Sequence, residues 1–139
     1  MDADVDFDMI LMDPEARKES GESHPLSENS GGVYLCYVDG CDGEVPLYVG
    51  RTVNLRVRLW QHWRGEPYSE WVAKYLDWLM EEQGNNNNIC PKCHSWPKSE
   101  GKCVSCMVRV RAWFVEEEDK RRWLEHELIA SLKPAYNKA

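Results

Sequence analysis

The chain has 139 residues, 42% of them hydrophobic, and its 24 acidic residues outnumber 17 Lys and Arg residues to give a formal net charge of −7. This length favours a single domain with a modest core. No apolar run approaches the length of a membrane span, and the first ten residues, MDADVDFDMI, are acidic where a signal peptide is basic. We therefore expect an intracellular protein, cytoplasmic or nuclear, with no membrane partner.

The N-terminal segment, residues 1–30, is predicted to be an acidic, flexible tail. Residues 1–31 contain nine acidic and two basic residues, so the net charge of the chain is concentrated there. The stretch KESGESHPLSENSGG is rich in Ser, Gly and Glu, and such a composition does not bury enough surface to order itself. The apolar stretch VDFDMILM allows an alternative, a segment that contacts a partner or covers a basic groove.

Two strands that follow the tail are predicted to form a hairpin. They are VYLCYV at 33–38 and EVPLYVG at 44–50, both rich in β-branched and aromatic residues, with two Asp-Gly pairs between them. Alternation along the first strand places its side chains on two faces. One face holds Tyr34, Cys36 and Val38, and the other holds Val33, Leu35 and Tyr37.

Three helices and one more strand are predicted after the hairpin. Asn54 is predicted to be the N-cap of a helix over about 55–64, and Ser69 the N-cap of a second helix that begins at EWVAKYL. The stretch MVRVRAWF, residues 107–114, alternates like a third strand. The final helix is expected from near Asp119 to Leu132, before Pro134.

A cysteine cluster between the second helix and the third strand predicts a zinc knuckle over about residues 85–106. Two CxxC pairs, separated by nine residues, have the spacing of a tetrahedral zinc site. Four thiolates leave no open coordination position, so this Zn2+ would be structural. The alternative is a set of free or redox-active thiols. The four ligands would be Cys90, Cys93, Cys103 and Cys106.

One acidic residue of the final helix lies on its apolar stripe. At about 100° per residue, Leu128, Ile129 and Leu132 fall within roughly 60° of Glu125. A carboxylate on a buried face needs a cation, hydrogen bonds or a metal ion. Two readings are left open by the helix pattern alone, a salt bridge to an arginine such as Arg58 and a site for a divalent metal ion.

The order of these motifs resembles that of the GIY-YIG nuclease family. The chain has Gly-Val-Tyr at 32–34, Tyr-Val-Gly at 48–50, a helix with Arg58 and His62, and then LEHELIASLKPAYN, residues 124–137. The resemblance covers about residues 31–64 and 107–138. It implies an α/β (α+β) fold for residues 31–139, with a three-stranded antiparallel sheet flanked by helices. The zinc knuckle would be an insertion in this fold.

The resemblance also implies hydrolysis of DNA phosphodiester bonds with one divalent cation. One tyrosine, Tyr34 rather than Tyr48, would help to deprotonate the attacking water, with His62 assisting. Arg58 would hold the phosphate. Glu125 would bind Mg2+ or Mn2+, a role that favours the metal reading of this residue, and Asn137 would order the site from the C-terminal end.

The sequence leaves the biological role of this activity open. A repair or structure-specific nuclease and a restriction or phage-type nuclease both fit, and the alternative is an inactive zinc-containing nucleic-acid-binding or adaptor protein. DNA is the expected partner, and a protein partner or homodimer could form through the tail or the zinc knuckle. Further arginines could contact the DNA backbone, although each could equally be a solvated surface charge. They are Arg51, Arg56, Arg64, Arg109 and Arg111.

Overall fold

The computed structural model describes residues 2–40, 43–64, 71, 74 and 108–137. The predicted zinc knuckle, with Cys90, Cys93, Cys103 and Cys106, lies outside the described residues, as does most of the predicted second helix. Within the described ranges the chain is a mixed α/β protein with three helices and one four-stranded sheet. No described helix is long and apolar enough to cross a membrane.

The elements follow one another in the order β1, a 3-10 helix, α1, β2, β3, α2, β4 and α3. The N-terminal part comprises β1 (Val5–Asp8), the 3-10 helix (Met9–Met12) and α1 (Pro14–Ser20). The hairpin and the next helix are β2 (Gly32–Gly40), β3 (Gly43–Thr52) and α2 (Leu55–Arg64). The C-terminal part comprises β4 (Arg109–Phe114) and α3 (Glu118–Leu132).

The sheet is antiparallel throughout and has the strand order β1-β4-β2-β3. The predicted hairpin is therefore confirmed as β2 and β3. In its register Tyr34 lies opposite Gly50 and Cys36 opposite Tyr48. The next pair is Tyr37 with Pro46, so Leu47 is an extra residue in β3. This irregularity bends the strand just before Tyr48, which is one of the predicted site residues.

The prediction of a flexible tail is wrong for most of residues 1–30. Part of this segment forms β1, so the sheet has four strands where the sequence predicted three. β1 pairs with β4 along its whole length, and Phe7, Met9 and Met12 are buried. The alternation of Asp and apolar residues in VDFD is a strand pattern of period two. Its acidic side chains reach basic residues of β4, which supply the charge partners that composition alone does not reveal.

The two faces of the sheet carry separate hydrophobic clusters. Tyr34 and Cys36 lie in the cluster that includes Leu55 and Leu59 of α2. Val33 and Leu35 lie in the cluster that is covered by Leu124, Leu128 and Ile129 of α3. The predicted division of β2 into these two faces is confirmed.

The caps of the helices agree with the sequence. The side chain of Asn54 accepts a hydrogen bond from the backbone N–H of Val57 at 3.2 Å, which confirms the predicted N-cap of α2. α3 begins one residue before the predicted start and ends at Leu132, with Lys133 in the left-handed conformation and Pro134 after it. These helices place Arg58, His62 and Glu125 against the hairpin.

Candidate active site

Four aromatic rings from β2, β3, α2 and the residue Trp71 form one cluster. The ring centroids of Tyr34 and His62 are 5.4 Å apart, and those of Tyr48 and His62 are 5.7 Å apart. Trp71 stacks on Tyr48 at 5.6 Å with an angle of 7° between the planes. The sequence-predicted residues Tyr34, Tyr48 and His62 are therefore in mutual contact, although they lie on three different elements.

His62 makes a hydrogen bond through each of its ring nitrogens. Its Nε2 is 2.7 Å from the hydroxyl oxygen of Tyr34, and its Nδ1 accepts a hydrogen bond from the indole N–H of Trp71 at 3.2 Å. The side chain is fully buried. Burial, with the neighbouring charge of Arg58 as a second cause, lowers the pKa of His62 to about 3. The imidazole is therefore neutral at physiological pH.

Gly50 gives the hydroxyl of Tyr34 the space that it occupies. A Cβ atom at position 50 would lie 2.5 Å from this oxygen, which is closer than real Cβ atoms approach. Any side chain there would push Tyr34 out of its place on the neighbouring strand. The last residue of the Tyr-Val-Gly motif is thus a glycine because the Tyr34 hydroxyl group lies against its Cα atom.

In the absence of DNA and metal ion, the hydroxyl groups of Tyr34 and Tyr48 are both protonated at neutral pH. Burial, with Tyr48 as a second cause, raises the pKa of Tyr34 well above its ordinary value, and a hydrogen bond from Arg58 opposes this rise. Burial also raises the pKa of Tyr48, which Arg58 again opposes and Glu125 reinforces. Arg58 thus acts on both hydroxyls, and Glu125 acts on Tyr48 from the opposite face of the sheet.

Arg58 belongs to the same cluster of side chains. Its guanidinium donates to Gln61 Oε1 at 3.1 Å, one turn further along α2. It is a cause of the shifted pKa values of Tyr34, Tyr48, His62 and Cys36. The structure therefore places a permanent positive charge beside the two hydroxyls, as a phosphate-binding site requires.

Glu125 lies on α3, which packs on the other face of the sheet, and it pairs with Arg51 of β3. Its carboxylate side chain is only 14% exposed. Arg51 also donates to Glu118 at 3.1 Å, so it bridges two carboxylates of α3. The salt-bridge partner suggested from the sequence, Arg58, is therefore wrong. Arg51, a predicted DNA-backbone contact, is engaged within the protein.

The residues around Glu125 fit a magnesium ion. Mg2+ prefers oxygen ligands, keeps several waters and needs only one or two carboxylates. Glu125 supplies one carboxylate, and Arg51 has Glu118 as a second partner when Glu125 is taken by a cation. Among the described residues no group of three or more His, Cys, Asp and Glu residues could hold a metal ion. A cation here would thus bind through one protein carboxylate and waters.

Asn137 fastens the C-terminal end of the chain to the free edge of β3. Its Oδ1 accepts from the backbone N–H of Val49, and its Nδ2 donates to the carbonyl oxygen of the same residue, both at 2.8 Å. The backbone N–H groups of Ala135 and Tyr136 donate to Pro46 and Leu47. This edge contact holds the residues on either side of Val49, which are Tyr48 and Gly50.

The other arginines that were predicted to contact the DNA backbone lie at separate places in the fold. Arg109 and Arg111 lie on the opposite face of the sheet, where Asp6, Asp8 and Glu44 pair with them. Both arginines are therefore engaged within the protein, and their contact with a DNA backbone stays a prediction. On α2, Arg56 is 3.8 Å from a carboxylate oxygen of Glu28, and Arg64 lies over the ring of Trp60 at 5.5 Å.

Sequence reasoning missed the contribution of Trp71 to the site. The sequence places it in the second predicted helix, as the apolar residue after Glu70 in EWVAKYL, where an indole normally packs through its ring alone. In the structure it is 4% exposed, stacks on Tyr48 and donates to His62. A signal was available, since a buried Trp N–H needs an acceptor and His62 precedes it by nine residues.

Comparison with known proteins gives a distant structural similarity. No protein-family model matches the chain, and no curated protein does. Among solved structures, the GIY-YIG N-terminal endonuclease domain of UvrC from Thermotoga maritima, bound to its catalytic magnesium, is 20% identical, with a TM-score of 0.44. The match covers 81% of this chain and 89% of that one.

Two point mutants of the same UvrC domain, each bound to the catalytic divalent cation, are also similar to the chain. They are 20% and 19% identical, and each match covers 91% of this chain and 98% of that one, with TM-scores of 0.44. Similarity at this level does not assign the chain to a family. The functional conclusion rests on the residues of the site.

Proposed function

We propose that the protein is a divalent-metal-dependent DNA endonuclease of the GIY-YIG type. The observation that supports this most directly is the contact among Tyr34, Tyr48 and His62 beside Arg58. The largely buried Glu125 is close enough for its charge to act on Tyr48. Hydroxyls, one guanidinium and one carboxylate are the groups that phosphodiester hydrolysis needs. The GVY and YVG motifs supply the two tyrosines in the order that the family resemblance implies.

Arg58 holds the scissile phosphate in this proposal. A guanidinium forms charge-assisted hydrogen bonds to phosphate oxygens and stabilises the charge that develops as the bond breaks. Glu125 holds the cation, with Mg2+ or Mn2+ as the expected ion. When bound, the ion polarises a phosphate oxygen and neutralises negative charge. Because Arg51 pairs with Glu125 in the protein alone, cation binding requires Arg51 to move toward Glu118.

One of the two tyrosines takes the proton of the attacking water. Their raised pKa values make both hydroxyls poor bases in the protein alone, so the base forms only when positive charge approaches. Only 1% of Tyr34 is exposed, whereas Tyr48 is half-buried and lies within the influence of Glu125. Exposure therefore favours Tyr48 over Tyr34, the residue that the family resemblance prefers. A comparison of Tyr34→Phe with Tyr48→Phe decides between them, since loss of the base lowers turnover at saturating DNA.

DNA is the proposed partner, and a structural Zn2+ on Cys90, Cys93, Cys103 and Cys106 remains part of the proposal. A measurement of zinc per purified chain tests this second metal. Association through the N-terminal segment loses its basis over Val5–Asp8, because this strand pairs within the sheet. The inactive adaptor alternative gains no support from the site, which holds hydroxyl, imidazole, guanidinium and carboxylate groups together.

The endonuclease proposal is tested by cleavage of supercoiled plasmid and branched DNA with Mg2+ or Mn2+. We expect Glu125→Gln to lower the cleavage rate by on the order of 100-fold or more, because it removes the charge that binds the cation. The matched control is Glu127→Gln, which makes the same change at an exposed position of α3. A wild-type protein that cuts no substrate, or a Glu125→Gln variant that cuts as fast as wild type, contradicts the proposal.

A further inference from the structure

The contact between Trp71 and His62 fixes which nitrogen of the imidazole carries the proton. The indole N–H of Trp71 lies 3.2 Å from Nδ1 of His62. An indole nitrogen donates a hydrogen bond and never accepts one. Nδ1 of His62 must therefore be the unprotonated, accepting nitrogen.

The second nitrogen of His62 follows from the first. A neutral imidazole carries one proton, and burial keeps the pKa of His62 far below neutrality. The proton is therefore on Nε2, which is 2.7 Å from the hydroxyl oxygen of Tyr34. In this arrangement His62 donates and the oxygen of Tyr34 accepts. The opposite arrangement would set an Nδ1–H group against the indole N–H, and two donors that face each other repel.

We propose that Trp71 is a positioning residue that holds His62 in the Nε2–H tautomer, so that His62 donates to Tyr34 and cannot accept its proton. The inference rests on the proposed function for its catalytic consequence, and on the hydrogen-bond geometry alone for the tautomer. Tyr34 then has two donors directed at its oxygen, His62 and Arg58. Both favour negative charge on that oxygen, and the hydroxyl proton of Tyr34 points away from the imidazole.

Trp71 also connects this donor to the second tyrosine. Its ring stacks on Tyr48, while its N–H group holds His62. Replacement of the indole by a phenyl ring keeps an aromatic surface against Tyr48 but removes the donor and one ring of packing. A control that loses the same ring without a hydrogen bond to His62 therefore separates the two effects.

The chain offers a matched control for this substitution. Trp113 is 6% exposed, close to the 4% of Trp71, and it lies in the hydrophobic cluster on the opposite face of the sheet. Its Nε1 has no hydrogen-bond partner among the described residues. Trp113→Phe makes the same chemical change at a comparable depth without the loss of a hydrogen bond to His62.

The test is long-range 1H–15N NMR of the full chain labelled with 15N-histidine, with the signals of His62 identified by their loss in His62→Gln. We expect wild type and Trp113→Phe to show a protonated Nε2 and an unprotonated Nδ1. In Trp71→Phe the tautomer with the proton on Nδ1 should become populated, because the indole N–H no longer points at that nitrogen. A wild-type spectrum with the proton on Nδ1 or on both nitrogens overturns the proposal, as does a Trp71→Phe spectrum identical to wild type.

Cleavage kinetics give the second readout. We expect Trp71→Phe to lower kcat roughly tenfold or more with KM little changed, since loss of the partner that fixes a tautomer costs activity on this scale. Trp113→Phe should cleave at the wild-type rate. An unchanged kcat in Trp71→Phe, despite the altered tautomer, overturns the positioning role. If wild type shows the expected tautomer but cleaves nothing, the nuclease proposal fails while the tautomer assignment stands.

Discussion

His62 is a titratable side chain that the fold holds in its neutral form. Burial lowers its pKa from 6.5 to about 3, and both of its nitrogens are engaged in hydrogen bonds. The unfolded chain binds a proton at this residue near pH 6.5, whereas the folded chain does so only near pH 3. The resulting stability is fully present above pH 6.5 and is lost as the pH falls toward the folded value.

We predict that His62→Gln weakens the pH dependence of stability between pH 6.5 and about 5. Each unit of pH below 6.5 costs the wild type about 1.4 kcal/mol at this residue, and the variant lacks this contribution. The measurement is the free energy of unfolding in urea at a series of pH values. Carboxylates with lowered pKa values, such as Asp6 and Glu44, stay ionised in this window.

A second histidine provides the comparison for this experiment. Burial, followed by the charges of Arg56 and Arg17, lowers the pKa of His24 to about 4, so its contribution has the same sign. His24→Gln should weaken the dependence to a similar extent down to about pH 5 and less below it, because folded His24 binds its proton near pH 4 and folded His62 near pH 3. Equal slopes for wild type and His62→Gln would contradict the neutral, buried state of His62.

The sequence predicts which residues cluster better than it predicts their partners. Tyr34, Tyr48 and His62 could be named because their motifs have recognisable spacing along the chain. The pairing of Arg51 with Glu125 could not, since the two residues are 74 positions apart and several arginines were possible partners. The donor role of Trp71 was missed for a related reason. Apolar periodicity reports which face of a helix is buried and says nothing of the single polar atom on a buried ring.

At the scale of elements, alternation predicted β2, β3 and β4 well because each strand packs both of its faces. The hairpin and α2 also have local signals, namely the Asp-Gly pairs and the cap at Asn54. β1 has only four residues and lies in an acidic segment, so composition outweighed its pattern. Its order depends on pairing with β4, more than 100 residues away, and no local signal records such a partner.

Asn137 replaces a strand partner at the free edge of β3. Its side-chain amide pairs with both backbone groups of Val49, as a neighbouring strand would. We predict that Asn137→Ala lowers the free energy of unfolding by roughly 1–2 kcal/mol, because two hydrogen bonds are lost. Cleavage should fall further than this loss of stability explains, since Val49 lies between Tyr48 and Gly50.

Asn137→Asp is the sharper comparison with Asn137→Ala. The carboxylate keeps the size of the side chain and the acceptor for the Val49 N–H, but it presents a second oxygen to the Val49 carbonyl. We therefore expect Asp to destabilise at least as much as Ala, both measured by unfolding in urea. Wild-type stability in Asn137→Asp would show that the contact with the carbonyl contributes nothing.

For the whole molecule, the acidic N-terminal segment acts as a charge partner within the fold. Asp6 pairs with both Arg109 and Arg111, Asp8 pairs with Arg109, and Tyr37 donates to Asp6 at 2.7 Å. This network lies on the face of the sheet opposite Tyr34. The excess of acids in residues 1–31 is thus partly matched by the arginines of β4, and the two faces differ in purpose. One face carries the cluster of Tyr34, Tyr48 and His62, and the other carries both the network that fastens the N-terminal strand and α3 with its Glu125.

This division predicts how the arginines contribute to DNA binding. We expect the double variant Arg109→Gln and Arg111→Gln to bind duplex DNA as wild type does, while its stability falls by roughly 1 kcal/mol. The matched single change Arg58→Gln should weaken binding and reduce the slope of log K against log salt by about 1, because one phosphate contact is lost. Affinity measured over a series of salt concentrations, with urea unfolding of each variant, gives both quantities.

A change in net charge could also alter DNA affinity, and the same salt series separates this effect from the loss of a direct phosphate contact. The double variant is two charges more negative than the wild-type value of −7, and a purely long-range effect would therefore weaken its DNA binding. At physiological ionic strength the screening length is about 8 Å, so charges on the far face of the sheet contribute little. A reduced affinity for the double variant that persists at this salt concentration, with a smaller slope, would place DNA on the Arg109 face. The assignment of the two faces would then be wrong.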